Sequence, residues 1–143
     1  MKNVILLLFT VLMLTMIGCQ DVTVGYLLTE DASYNPDTLV VKTELDDEPG
    51  EEDYYRSKWG APWVSTPIEG VEGTTAIYVS IKNITSTSGD SEKLWEVLSV
   101  RGDGTFEMPL HHDVPAGRYV ISLNFRNEGY SKDVNDCFTI IVK

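Results

Sequence analysis

The stretch DVPAGRYVISLNF at residues 113–125 decides the fold. A Pro-Ala-Gly corner leads into a run in which every second residue is large and apolar: Tyr119, Ile121, Leu123 and Phe125. This spacing predicts a β-strand that buries one face. The same alternation recurs at Phe138, Ile140 and Val142, so residues 137–142 are predicted to form the last strand.

Further predicted strands lie on the N-terminal side of this stretch. They are rich in β-branched or alternating apolar residues and are bounded by turn residues: 38–45, 76–84, 94–100 and 105–108. Helical patterns of about 10 to 15 residues do not separate them, which argues against a parallel α/β sheet. About seven strands in roughly 100 residues predict an all-β fold of the sandwich type.

One of these predicted strands, LWEVLSV, has an ambiguous pattern. Leu94, Val97 and Leu98 have the spacing of one helix face, whereas Trp95 alternates with Val97 as in a strand. An Asp-Gly dipeptide follows at residues 103–104, and Asp-Gly between two apolar runs is typical of a hairpin turn. We therefore prefer the strand.

The corner at residues 115–117 and the tyrosine behind it resemble the tyrosine corner of immunoglobulin-like sandwiches. In that motif the phenol hydrogen-bonds back to the loop before the strand. Together with the last predicted strand, this stretch resembles strands F and G of such a domain. The resemblance implies an immunoglobulin-like β-sandwich of about seven strands in residues 37–143.

An apolar run from Val4 to Ile17 follows Lys2 near the N-terminus. A helix needs about 20 apolar residues to cross a bilayer, so this run is too short to be a stable membrane anchor. A positive charge, a short apolar core and a small residue before the cleavage point are typical of a cleaved secretory signal. We therefore predict that residues 1–18 form a signal peptide.

The end of this run, Met16-Ile17-Gly18-Cys19, resembles a bacterial lipobox, with Met16 where the family usually has Leu. The resemblance implies that Cys19 becomes the N-terminus and is acylated. Acyl chains then attach the protein to a membrane with about 0.8 kcal/mol per buried CH₂. Residues 19–36 would follow as a tether or a short strand. The alternative is an ordinary thiol at Cys19 behind an ordinary signal peptide.

The chain is strongly acidic, with 22 Asp and Glu and a formal net charge of −11. Nucleic-acid affinity depends on Lys and Arg side chains that neutralise phosphates, so we expect no nucleic-acid partner. The two cysteines are Cys19 and Cys137. If Cys19 is acylated, Cys137 has no partner within the chain, and we predict no disulfide.

Carboxylates are concentrated in residues 44–53, which contain seven Asp and Glu side chains. Calcium prefers about six to eight oxygen ligands, but the spacing fits no EF-hand loop. Like charges repel and extend a chain, so a mobile solvated loop is preferred and calcium binding is left open. The adjacent His111 and His112 would point to opposite faces of a strand, so no metal site is predicted there.

Residues 54–63 hold the densest group of aromatic side chains. An extended segment would place Trp59 and Trp63 on one side, at an edge or in a loop because Pro62 lacks an N–H group. Aromatic faces flanked by Arg, Lys and acids are suited to stacking on pyranose rings. The candidate ligand-binding residues are therefore Trp59, Trp63, Tyr54 and Tyr55. Alternatively, one tryptophan fills the sandwich core while the other packs under the acidic loop.

Three features together resemble small immunoglobulin-like surface lipoproteins of Bacteroidota, including accessory lipoproteins of glycan-uptake systems. They are the lipobox, the Pro-Ala-Gly-Arg-Tyr strand and the Gly-Ala-Pro-Trp segment at residues 60–63. The resemblance implies a non-catalytic protein at the outer membrane or cell surface, anchored through acyl chains on Cys19. Its implied partner is a polysaccharide or an envelope protein, and no cofactor or catalytic residue is implied.

The sequence also bears on two other classes of function. An adhesin or assembly subunit would bind a protein partner through an exposed sheet edge. An enzyme is not expected, because the sequence has no Gly-x-Ser-x-Gly elbow, phosphate loop or His-Glu-x-x-His helix. The many carboxylates also make no pair distinctive for glycoside hydrolysis.

Overall fold

The computed structural model describes residues 1–14, 25–87 and 90–143. Its first element is helix α1 (Lys2–Leu14), which lies within the predicted signal peptide. None of the helices in these ranges is long and apolar enough to cross a membrane. The predicted lipidation site, Cys19, lies outside the described residues.

Most of the remaining regular structure is β-strand, which confirms the β-rich fold. The strands in chain order are β1 (Leu27–Leu28), β2 (Thr38–Val41), β3 (Trp63–Val64), β4 (Glu72–Gly73), β5 (Tyr78–Ser86), β6 (Ser99–Val100), β7 (Phe106–Met108), β8 (Gly117–Arg126) and β9 (Ser131–Val142). Two short helices interrupt them, α2 (Tyr54–Trp59) and α3 (Ser91–Val97). The strands form sheets ordered β2-β9-β8-β5, β3-β7-β6 and β1-β4.

Strands β8 and β9 form a long antiparallel hairpin in the four-stranded sheet, and β2 runs parallel to β9. The alternating apolar residues of both strands are buried: Tyr119, Ile121, Leu123, Phe125, Phe138, Ile140 and Val142. Burying one large apolar side chain stabilises a fold by about 1.5–3 kcal/mol, so these two strands contribute much of the core. The period-two predictions for both strands are confirmed.

The three-stranded sheet contributes to the same core. Phe106 of β7 lies against Phe138 of β9, with ring centroids 5.0 Å apart. The buried ring of Tyr34 contacts both of them, at 5.6 Å from Phe106 and 4.7 Å from Phe138. Aromatic pairs at these separations add to the free energy gained from buried area. The two larger sheets therefore share one hydrophobic core.

A hydrogen bond closes the corner before β8. The fully buried Tyr119 donates its hydroxyl hydrogen to the carbonyl oxygen of Pro115 at 2.7 Å. Burial raises the pKa of Tyr119, which keeps the phenol protonated and able to donate. The hydrogen bond expected from the tyrosine-corner resemblance is therefore present.

The prediction of a strand over residues 94–100 is wrong for most of that segment. Asp90 accepts a hydrogen bond from the backbone N–H of Glu92 at 3.0 Å and caps α3, which buries Leu94 completely. An N-cap of this kind stabilises a helix by about 1 kcal/mol, which favours the helical spacing over the alternation. The Asp-Gly hairpin is confirmed, because β6 and β7 pair antiparallel around it and Gly104 has a φ of 81°.

Strand β8 sets the distance between the two ends of the larger sheet. Beyond its C-terminal end, the side-chain amide of Asn127 donates to the carbonyl oxygen of Tyr26 at 2.8 Å. At the other end, Gly117 of β8 and Val41 of β2 both pair with Val142, and Lys42 comes directly after Val41. Ten residues of strand at about 3.3 Å each separate these points by about 30 Å. Tyr26 and Lys42 therefore lie at opposite ends of the molecule.

Candidate functional site

Helix α2 carries three of the four candidate ligand-binding residues. The N–H of Ser57 donates to the carbonyl oxygen of Asp53 at 2.8 Å and closes the first turn. Gly60 ends the helix in the left-handed region with a φ of 60°. The N–H of Ala61 then donates back to the carbonyl oxygen of Arg56 at 3.0 Å. A helix ending of this type favours glycine, which reverses the chain without steric cost.

The reversal at Gly60 places the two tryptophans in different environments. Trp59 is 72% exposed at the end of α2, whereas Trp63 is 5% exposed at the start of β3. The expectation of one extended segment with both rings on the same side is therefore wrong. A six-residue helix has too few positions to show a helical repeat of apolar residues, so the sequence pattern did not indicate it.

Three neighbouring rings of α2 form one surface, which we call the aromatic platform: Tyr54, Tyr55 and Trp59. Tyr55 and Trp59 are one helical turn apart, and their ring centroids lie 5.2 Å from each other. Tyr54 meets Tyr55 edge-on at 5.1 Å. Tyr55 is 59% exposed and Tyr54 is half-buried, so the accessible surface of the platform belongs mainly to Tyr55 and Trp59. Contiguous apolar surface in water is a common mark of a binding site.

Trp63 is connected through Arg56 to the helix that carries the platform. Its indole Nε1 donates to the carbonyl oxygen of Leu110 at 3.3 Å, inside the core. The guanidinium carbon of Arg56 lies 4.2 Å from the Trp63 ring centroid, and Arg56 Nη1 donates to the carbonyl oxygen of Pro62 at 2.9 Å. A cation over an indole contributes about 0.5–2 kcal/mol. Arg56 therefore holds α2 against β3, a role that the sequence pattern did not reveal.

A cleft of about 400 Å³ lies between the platform and the end of β2. Tyr55 and Trp59 form part of its wall, and Lys42 and Glu52 bring charged groups to it. Ligand sites in proteins usually enclose about 300–1,000 Å³ and combine apolar walls with a few polar groups. This cleft has the size and the mixed lining of such a site.

Lys42 lies at the centre of the acidic run. Its Nζ contacts Asp53 at 2.8 Å, Asp46 at 3.0 Å and Glu52 at 3.1 Å. The hydrogen bond that Lys42 donates to Asp53, followed by those that it donates to Asp46 and Glu52, raises the pKa of Lys42. The same bond with Lys42 lowers the pKa of Asp53, and the Asp46 N–H adds to this effect. Both groups are therefore charged across the physiological range.

These contacts modify the expectation of a fully solvated loop. Asp53 is buried, and its carboxylate also accepts from the backbone N–H of Asp46 at 3.2 Å. The carboxylate run is thus tied to the end of β2 by Lys42, whose ammonium group contacts three of its carboxylates. Within residues 1–14, 25–87 and 90–143, no group of three or more His, Cys, Asp or Glu side chains is arranged to hold a metal ion.

A solved structure shares this fold. It is a SusE-like, surface-located polysaccharide-binding protein from the heparin utilisation locus of Bacteroides thetaiotaomicron. The TM-score is 0.51 at 13% sequence identity, and the match covers 83% of this chain. It covers 15% of the other chain, so this protein spans a small part of that protein's length. No protein-family model and no curated protein sequence matches this chain.

A larger concavity of about 530 Å³ lies at the opposite end of the molecule, beside Tyr78, Arg126 and Asn127. Among the residues that line it, Tyr78 is the one aromatic residue, and its ring is exposed. The Asn127 amide already donates to two backbone carbonyl oxygens, at 2.8 and 3.2 Å. Because it offers one ring and an amide that is already bonded, we consider this concavity a weaker candidate than the platform cleft, despite its volume.

Cys137 is a free thiol in β9. Its Sγ donates to the carbonyl oxygen of Ile121 at 3.4 Å. Burial raises the pKa of Cys137 to about 11, so the thiol stays protonated at neutral pH. Since the thiolate is the reactive form, Cys137 is unsuited to nucleophilic chemistry and acts as a small packing residue.

Proposed function

We propose that this protein is a lipid-anchored, non-catalytic module of the cell surface that binds polysaccharide on the aromatic platform. The observation that carries the proposal is the exposure of Trp59, which is 72% accessible while its ring lies 5.2 Å from that of Tyr55. Large apolar rings are normally buried, so a paired and exposed set suggests a ligand that covers it.

The chemistry beside the rings suits a sugar. The C–H face of a pyranose packs on an indole or phenol ring, and the hydroxyl groups at the ring edge need donors and acceptors. Glu52 offers an exposed carboxylate as an acceptor. Arg56 also lines the cleft, and it uses one of its five N–H donors on the Pro62 carbonyl oxygen. Tyr55 and Trp59 would then stack on the sugar ring, and Glu52 and Arg56 would orient it through its hydroxyl groups.

The position of the platform is consistent with a surface role. We propose that residues 1–18 are removed and that Cys19 is acylated, so the anchor would join the domain near Tyr26. The platform lies beside Lys42, about 30 Å away along β8. A domain anchored in this way would direct its rings away from the membrane and toward extracellular polymer.

The solved structure with the same fold is a surface-located polysaccharide-binding protein, which supports this function by analogy. We also propose that the domain is an immunoglobulin-like sandwich. Two sheets that share one core and the Tyr119 hydrogen bond to Pro115 support that assignment. The match covers 15% of the other protein, so this comparison bears on the fold, and the proposed binding function rests on the aromatic platform.

The test is affinity gel electrophoresis of the purified full-length protein through gels that contain single polysaccharides. At least one polysaccharide should retard the wild type, and Trp59→Ala should abolish the retardation. Trp95→Ala is the matched control, because Trp95 is also 47% exposed but lies on α3. Equal loss with both variants, or retardation that survives Trp59→Ala, would contradict the proposal.

A second function is favoured by one observation. Strand β5 is the terminal strand of its sheet and is nine residues long, so its outer edge could accept a strand from a protein partner. Lys82 and a register shift near Ile81 blunt that edge. Co-purification of a stoichiometric envelope protein with wild type and Trp59→Ala alike, without polysaccharide retardation, would favour this function instead.

A further inference from the structure

The charges around the aromatic platform are unbalanced. Between residues 42 and 59, three cationic side chains face seven carboxylates, which leaves four negative charges: Lys42, Arg56 and Lys58 against Glu44, Asp46, Asp47, Glu48, Glu51, Glu52 and Asp53. The platform follows directly on the acidic run in the chain, and its cleft is lined by two carboxylates, Glu52 and Asp53, and by two cations, Lys42 and Arg56. The cleft itself is therefore balanced in charge, and the excess of negative charge lies in the acidic run next to it.

The cations near the platform are already engaged. Lys42 contacts three carboxylates within 3.1 Å. Arg56 lies over the Trp63 ring and bonds the Pro62 carbonyl oxygen. Lys58 lies 5.5 Å from the centroid of Tyr54. Sulfate and carboxylate groups are usually recognised by clustered Lys or by bidentate Arg, whereas the two cations of this cleft, Lys42 and Arg56, already contact groups of the protein.

We infer that the aromatic platform binds uncharged polysaccharides and rejects sulfated and uronic-acid polysaccharides. This inference rests on the proposed function, because it concerns the ligand of the same site. Stacking on Tyr55 and Trp59 needs no ligand charge, and Glu52 accepts from hydroxyl groups but repels anions. At physiological ionic strength, charges are screened beyond about 8 Å, so this selection depends on the charges of the cleft and of the adjacent acidic run rather than on the net charge of the whole chain.

The first experiment measures which polysaccharides the full-length protein binds. The neutral probes are dextran, galactomannan and xyloglucan, and the anionic probes are polygalacturonate and heparin, the latter because the structural neighbour comes from a heparin utilisation locus. We expect binding to a neutral probe with an affinity that changes less than about twofold between about 50 and 500 mM NaCl. Both anionic probes should fail to bind.

The outcomes separate the two proposals. Binding of heparin or polygalacturonate that is lost with Trp59→Ala would overturn the selection for uncharged ligands and leave the proposed function in place. Binding of none of the probes, neutral or anionic, would count against the proposed function itself. Neutral binding that is lost with Trp59→Ala, together with no anionic binding, supports both.

A second experiment tests whether the local charge is the cause. The triple variant Glu44→Gln/Glu48→Gln/Glu51→Gln removes three exposed carboxylates that make no hydrogen bond among the described residues. It should gain affinity for heparin at low salt, with neutral binding unchanged within about twofold. The matched control is Glu69→Gln/Glu72→Gln/Glu128→Gln, which removes three exposed carboxylates outside the acidic run. An equal gain in both variants, or no gain in the first, would overturn local selection.

Discussion

Trp59 and Trp63 are separated by three residues, yet they have opposite environments. Trp59 ends a short helix and is 72% exposed, and Trp63 begins a strand and is 5% exposed. The difference arises at Gly60, whose left-handed backbone reverses the chain, and at Arg56, which packs over the buried indole. Residue type alone therefore does not distinguish an exposed ring from a core ring.

The comparison teaches that the two rings form one structural unit. Trp63 is held by its bond to the Leu110 carbonyl oxygen, and Arg56 connects it to the helix that presents Trp59. The buried ring should therefore contribute to stability, whereas the exposed ring should contribute to binding. Substitutions that separate stability from affinity test this division.

The largest expected effect is on Trp63. Trp63→Ala removes a buried indole and should lower the free energy of unfolding by about 3–5 kcal/mol. Trp63→Phe, which keeps an aromatic ring, should cost less. Urea unfolding followed by circular dichroism measures both. A loss below about 1 kcal/mol for Trp63→Ala would show that this ring is not a core residue.

Trp59→Ala should have the reverse profile. Because the ring is exposed, the free energy of unfolding should change by less than about 0.5 kcal/mol. Affinity for a bound polysaccharide should fall at least about tenfold, which corresponds to about 1.4 kcal/mol. Isothermal titration and urea unfolding of the same preparation provide the two values. A large loss of stability with unchanged affinity would show that Trp59 is a structural residue and does not bind the ligand.

Gly60→Ala tests the turn that separates the rings. Nothing lies within 4 Å of an added Cβ, so the cost is the left-handed backbone alone, about 1–2 kcal/mol. Gly60→Asn should recover part of this loss, because Asn tolerates that conformation. The readout is the urea midpoint of each variant. Equal stability of Gly60→Ala and wild type would mean that the turn is not left-handed.

The smallest effect concerns pH and the loop behind the platform. Lys42 lowers the pKa of Asp53 below its ordinary value of 3.8, so their interaction stabilises the fold above that value. This stability is lost as the pH falls below 3.8 and through the lower pKa of the folded state. Asp53→Asn should therefore lose less stability on acidification than wild type does. Identical pH dependence of the urea midpoints would remove Asp53 from this role.

Parts of the long strands could be predicted from the sequence, because residues 119–125 of β8 and 138–142 of β9 show a two-residue repeat of large apolar side chains that are buried. The structure of residues 94–100 could not be predicted, since their pattern fits both a helix and a strand. The helix is favoured there by the hydrogen bond that the Glu92 N–H donates to the Asp90 side chain. Local competition of this kind is decided by capping and by the burial of Leu94.

The candidate site was predicted in composition but not in arrangement. The sequence showed the aromatic residues and the acidic run, and the structure adds how they are connected. Lys42 binds carboxylates four to eleven positions later in the chain, and Arg56 packs on Trp63. Such pairs depend on how the chain turns at Gly60 and at the end of β2, which a periodicity analysis does not describe.

The most direct measurement is a titration of ¹⁵N-tryptophan-labelled protein with the retarding polysaccharide or its oligosaccharide, followed through the three indole N–H signals. The signals are assigned with Trp59→Phe, Trp63→Phe and Trp95→Phe. We predict that the Trp59 signal shifts with ligand concentration while the Trp63 signal, whose Nε1 donates to the Leu110 carbonyl oxygen, and the Trp95 signal on α3 stay in place. A shift of the Trp95 signal with Trp59 unmoved would contradict binding on the platform.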